Sequence, residues 1–160
     1  MWEDAIDVWR APIIEGANDA SRDDREPQVE RMRIHAGFLR YGADVDEDHF
    51  PFETPLAQFL DYGKGCYVGQ EPVFRVHSQG NSAKALRGFT VEGDAPLAAG
   101  APIKHATKDN AGTVTSSVID GATTLALGYL HRTVWEPGGI VEIDGRKATV
   151  HELPLSLIHI

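Results

Sequence analysis

The segment Lys64-Gly65-Cys66-Tyr67-Val68-Gly69-Gln70-Glu71 gathers several groups able to do chemistry on a pliable backbone. Cys66, the single cysteine of the chain, stands two residues after Lys64 and between Gly65 and Gly69. A nearby ammonium would lower the thiol pKa, and the missing side chains would leave the sulfur accessible, which together make a reactive thiolate. A small residue buried in a core is the competing explanation. Gln70 and Glu71 add an amide and a carboxylate, a pair suited to a heteroaromatic ring that carries both donors and acceptors. The same two side chains also suit the capping of a helix or turn.

Arg75, His77 and Arg87 continue a basic strip that would meet a carboxylate tail through forked hydrogen bonds, and a solvated strand face accounts for them equally well. The carboxylates of Asp44 to Glu53 are so numerous that a hydrated acidic loop is expected there rather than a dedicated acid/base pair. The seven histidines lie far apart without ligand spacing, so no metal centre is expected. The sequence contains no glycine-rich phosphate loop, Gly-x-Ser-x-Gly elbow or zinc-protease motif.

With 160 residues, 42% of them apolar and 24% charged, the composition is that of an ordinary globular protein. A net charge of −9 opposes general binding to nucleic acid, because such affinity comes chiefly from Lys and Arg displacing counterions. Acids crowd the region before Asp61, whereas Lys64 to Arg87 carries several cations and is the expected anion-facing part. One cysteine cannot form an internal disulfide. With neither a secretory leader nor a membrane-length apolar run, a cytoplasmic protein with no membrane partner is expected.

The elements that must position these groups follow from periodicity. From Trp2 to Ile14, Trp2, Ala5, Ile6, Trp9 and Ile13 share one helical face, which Pro12 should weaken or end. Because this opening reads as helix interior, Met1 is not expected to be the true start of the gene product. A second helix is expected from about Pro27 to His35, stopping near Gly37, with Val29, Met32 and Ala36 as its apolar face. Gly42 to Pro55 reads as a loop, leading to a short helical stretch around Leu56 to Tyr62.

After Asn81 six short strands are expected: Lys84 to Glu92, Ala101 to His105, Gly112 to Ile119, Thr123 to Tyr129, Ile140 to Ile143 and Lys147 to Leu153. Their hinges would be Gly93-Asp94, Asp109-Asn110, Asp120-Gly121, Pro137-Gly138-Gly139 and Asp144-Gly145. This pattern predicts a small antiparallel Greek-key β-barrel. The boundary before it falls near Gly80 to Ala83, and residues 155–160 run apolar past Pro154 as a candidate non-native tail.

The segment Lys64 to Glu71 closely resembles the signature of YgfZ-type folate-binding proteins within the aminomethyltransferase (glycine cleavage T-protein) superfamily. Met32-Arg33-Ile34-His35-Ala36-Gly37 resembles the Leu-Arg-x-Glu-Ala-Gly element of that superfamily. Tyr41-Gly42-Ala43-Asp44 resembles the aromatic-Gly-x-Asp that follows it, and Pro51-Phe52-Glu53 its Pro-x-Glu step. Gly112-Thr113-Val114-Thr115-Ser116 is similar to a Gly-x-Val-Thr-Ser strand of the C-terminal barrel, and Leu153-Pro154 to its closing Leu-Pro.

The resemblance spans about Arg31 to Pro154 and implies an α+β fold. Residues 1–82 would be the C-terminal part of a folate-binding domain, followed by the Greek-key barrel at 83–154. It implies tetrahydrofolate (reduced folate) as ligand, with Lys64, Tyr67, Gln70, Glu71, Arg75, Glu53 and His35 among its contacts and Cys66 as the catalytic candidate. It also implies a role in assembly or repair of iron-sulfur proteins, with effects on tRNA-modifying enzymes, and no established reaction of its own. A folate-dependent aminomethyl or methyl transferase is the alternative; such enzymes usually have an acidic-aromatic-Ile-Gly sequence where Cys66 stands here. A non-catalytic interaction module is the third. Two departures bear on folate: His35 replaces a glutamate common in relatives, and Pro72 removes a backbone donor after Glu71.

Overall fold

A computed structural model describes residues 26–63, 65–66, 68–79 and 82–155, with the side chains of 72 and 76–79 outside that description. The first expected helix, Trp2 to Ile14, lies outside the described residues. The described part is α+β: helix α1 (Glu26–Ala36), 3-10 turns at Pro51–Glu53 and Pro55–Phe59, helix α2 (Gln70–Gln79), then six strands. These are β1 (Lys84–Glu92), β2 (Pro102–His105), β3 (Lys108–Asp120), β4 (Thr123–His131), β5 (Ile140–Ile143) and β6 (Arg146–His151).

The strands close into an antiparallel barrel in the order β1-β4-β3-β2-β5-β6, sealed by β1 against β6. Strands β2, β3 and β4 follow one another as neighbours while β1 returns beside β4, which is the Greek-key arrangement. Turn chemistry sets the ends. Asp144 and Gly145 both adopt positive φ (52° and 72°) in the two-residue connection where Ile143 pairs with Arg146, a geometry matched to the twist of the flanking strands. One hinge differs from expectation. Asp109-Asn110 lies inside β3, and the β2–β3 reversal falls at Ala106-Thr107, where His105 pairs with Lys108. The Thr107 N–H donates to His105 Nδ1 at 3.2 Å, so a side chain supplies turn stabilisation that no glycine signals.

Strand β4 explains how the barrel holds the rest of the chain. Its sequence is apolar almost throughout because both faces are covered. Ala126 and Leu130 join Phe89, Val91, Val114, Ile143 and Val150 in the barrel interior. Leu125, Leu127 and Tyr129 pack outward with Ile34 of α1, Leu86 and Leu155. Leu155, the first residue of the segment set apart as a tail, is therefore a buried part of this outer core. It lies over Gly88, where a Cβ would collide with the Leu155 side chain; residues 156–160 lie outside the described residues.

The face of α1 also differs from expectation. Val29 and Met32 are 60% and 72% exposed, whereas Ile34 is fully buried. The helix is oriented by Arg33 and Ile34 together, so a charged pair beneath it displaces the face that hydrophobic spacing favours. Gly37 ends α1 at φ 69°, with Phe38 N–H bonded to Arg33 O at 3.0 Å, a left-handed C-cap. Among the described residues no helix is long and apolar enough to cross a membrane.

Candidate functional site

The segment from Gly37 to Glu53 is fastened to the barrel at one carboxylate. Asp44, expected in a hydrated acidic loop, has no exposed surface. Its Oδ2 accepts from Arg33 Nη1 at 2.5 Å and from Arg40 N–H at 3.0 Å, and its Oδ1 accepts from Thr115 Oγ1 at 2.6 Å. A buried charge persists when paired and hydrogen-bonded in this way. Burial pushes the Asp44 carboxyl up, but hydrogen bonds from Thr115, Ser116 and the Arg40 N–H, with the Arg33 charge, bring it below the ordinary carboxylate range. Thr115 reaches Asp44 from a register shift in the β3–β4 ladder between Val114 and Ser116; such a bulge re-aims one side chain. The remainder of the acidic run, Asp46 to Asp48, is exposed as expected.

Tyr129 of β4 makes the second fastening, its hydroxyl donating to Asp44 O at 3.0 Å. Burial, with the Glu53, Asp44 and Asp46 charges, pushes the phenol well above its ordinary range, so it remains a donor. His49 stacks on the Tyr129 ring at 4.3 Å, and Lys84 Nζ lies 4.8 Å from the ring centroid. Glu53, also expected in the hydrated loop, is only 7% exposed. Its Oε2 accepts from Phe50 N–H at 3.2 Å and stands 3.8 Å from Lys84 Nζ. Glu53 lines a cleft of about 290 Å³ with Phe52, Gln58, Arg87 and Glu152.

The residues singled out by sequence fall in separate places. Cys66 is a free, exposed thiol, so the small buried residue offered as its alternative does not describe it. Lys64 and Tyr67 lie outside the described residues. Gln70 opens α2, a helix where a glycine-rich loop and a strand face were expected; Gly69 at φ 85° provides the turn into it. Pro72 falls in the first turn of α2, where the missing N–H has no intrahelical acceptor to lose. Glu71 and Arg75 are joined on the exposed face of α2 at 2.8 Å. His35 pairs with Asp120 of β3 at 3.1 Å. Arg87 does not continue the strip from α2. It lies on β1, donates to Trp135 O at 3.1 Å and stacks over the Trp135 ring.

Asp44, Tyr129, His49 and Lys84 were not picked out from the sequence. Asp44 was within reach through the Tyr41-Gly42-Ala43-Asp44 element, but its membership of an acidic run masked it. Tyr129 was signalled only as a lone polar tip in an apolar strand.

No protein-family model matches the chain. An aminomethyltransferase of Halothermothrix orenii is 26% identical over 148 residues, which cover 91% of this chain and 41% of the relative. An aminomethyltransferase of Chlorobium phaeovibrioides is 29% identical over 154 residues, covering 89% and 42%. A dimethylsulfoniopropionate demethylase of Ruegeria pomeroyi is 27% identical over 151 residues, covering 91% and 40%. The chain thus spans about two-fifths of the length of the curated relatives it matches. Its fold is similar to that of the glycine cleavage system aminomethyltransferase T from Bartonella henselae, with a TM-score of 0.69 and 22% identity over 79% of this chain and 37% of that one. Sequence relatives and shared barrel together support the aminomethyltransferase superfamily for this chain.

Proposed function

We propose that the chain is the C-terminal portion of a YgfZ-type protein that binds reduced folate and supports assembly or repair of iron-sulfur proteins. Residues 1–82 then belong to the folate-binding domain and 83–154 to the barrel. The observation that carries this reading is the exposed thiol of Cys66, set in Lys64-Gly-Cys-Tyr-Val-Gly-Gln-Glu71, where transferases of the superfamily usually carry an acidic-aromatic-Ile-Gly sequence.

The groups present fit a pterin in part. Glu53 offers a fixed carboxylate on a cleft wall, and Gln70 and Glu71 add an amide and a carboxylate at the start of α2. Bound folate would supply the one-carbon or redox chemistry, with Glu53 as one contact to its ring; Glu71 is paired with Arg75 on the exposed face of α2. His35 is engaged by Asp120 instead. The Glu53 cleft, about 290 Å³, lies just under the roughly 300–1,000 Å³ of ordinary ligand pockets.

Calorimetric titration with tetrahydrofolate tests the reading. The full-length gene product is expected to bind and residues 1–160 to bind weakly or not at all; no binding by the full-length product would remove the folate assignment. The names of the relatives favour a second reading, a folate-dependent aminomethyl or methyl transferase. Formation of methylene-tetrahydrofolate from a glycine-derived aminomethyl donor would establish it, and no turnover with amine or methyl donors would set it aside.

A further inference from the structure

A second cleft, of about 260 Å³, opens where the Asp44–Glu53 segment meets the barrel, lined by His49, Lys84, Asn110, Thr113, Tyr129 and His131 among others. We propose that it is a binding site for a small monocarboxylate, held by Lys84, His131 and Asn110. The inference does not rest on the folate assignment.

The lining is rich in donors. The backbone N–H of Thr133 donates to His131 Nδ1 at 3.3 Å, so that nitrogen is an acceptor and the neutral ring carries its proton on Nε2, a donor at the other end. Lys84 is 39% exposed and lies 3.8 Å from Glu53 Oε2, beyond hydrogen-bond reach, so its ammonium retains donors for another acceptor. Asn110 is exposed and contributes an amide.

Among the described residues no Asp or Glu lines the cleft, and two carboxylates flank it, one buried and one exposed. Glu53 is buried beside Lys84, and Asp46 Oδ1 accepts from His49 Nδ1 at 2.5 Å. A ligand in the cleft therefore meets donors first and carboxylates at longer range. This arrangement accepts one negative charge and penalises a second, which selects a carboxylate over a phosphate dianion. Tyr129 is buried and fixed through its hydroxyl, and at Gly112 the β3 backbone runs so close to Tyr129 O that a Cβ would collide with it. A small acid fits within the volume of the cleft.

The test is NMR titration of the 15N-labelled chain with sodium acetate replacing sodium chloride at fixed ionic strength and pH 7.5. Saturable shifts are expected in the imidazole resonances of His49 and His131. Lys84→Gln should weaken binding about tenfold, the scale of a charge-assisted hydrogen bond. Lys104→Gln, on the separate β2–β5 cleft, should leave it unchanged, and inorganic phosphate should bind more weakly than acetate. Shifts that grow linearly, saturation unaltered by Lys84→Gln, or tighter phosphate binding would overturn the proposal. If Lys84→Gln loses the dispersed barrel spectrum, His131→Gln carries the same comparison, with the same tenfold loss expected.

Discussion

Asp44 and Cys66 are both single functional groups within short motifs, yet the fold treats them in opposite ways. Asp44 has no exposed surface and takes hydrogen bonds from Arg33, Thr115 and the Arg40 backbone, while its carbonyl accepts from Tyr129. Cys66 is exposed between two glycines. A buried carboxylate with every bond made is an anchor, costly to disturb and unable to meet a ligand. An exposed thiol on a glycine-rich loop contributes little to packing and is available for reaction, the usual division between scaffold and functional loop.

The sharpest way to break this contrast is to remove the anchor. Asp44→Ala leaves Arg33 without its buried partner and should cost about 3–5 kcal/mol in urea unfolding. A loss under 1 kcal/mol would show that the network is not a fastening. Leu155→Ala should cost about 2–5 kcal/mol, since it empties the site over Gly88 in the outer core; an unchanged midpoint would return Leu155 to the status of a tail.

Acid titration sharpens the comparison further. Asp44 and Glu30 both titrate below their ordinary values, Glu30 chiefly through its hydrogen bond from Arg33. Their stabilisation is complete above the unfolded-state pKa values and is lost as pH falls through the lowered folded-state values. Stability should therefore decline below about pH 4.5, and Asp44→Asn should flatten that decline. A gentler loss should begin nearer pH 6.5, because burial lowers the His151 imidazole and the unfolded chain takes up that proton first. His151→Gln should remove this upper limb in pH-dependent melting. The smallest effect is expected at the loop: Cys66→Ala should change stability by less than about 0.5 kcal/mol, and native Cys66 should react with iodoacetamide without unfolding.

The barrel was legible because its turn residues announce themselves. Gly93, Gly121, Gly138 and Asp144-Gly145 take positive φ at four of the five expected hinges, and the alternation between them signals all six strands. Asp109-Asn110 misled because the true reversal at Ala106-Thr107 is stabilised by the His105 ring, a contact that periodicity does not register. The orientation of α1 was hidden for a related reason. Spacing favours Val29 and Met32 as the buried face, but the Arg33–Asp44 pair turns Ile34 inward. Such long-range pairing also hid the site. Asp44 read as one more acid in a hydrated run and Glu53 stood out only through the Pro51-Phe52-Glu53 resemblance, and only the barrel brings Thr115, Tyr129 and Lys84 to them. Cys66 was conspicuous from its neighbours, but its exposure depends on packing that composition does not fix.

Cys66→Ala in the full-length protein separates the role proposed for the exposed thiol from the scaffold role of the Asp44 network. Thermal melting and rescue of an iron-sulfur-dependent enzyme in a deletion strain should be measured on the same variant. A melting temperature within about 2 °C of the parent and no rescue are expected; full rescue would remove the thiol from the mechanism.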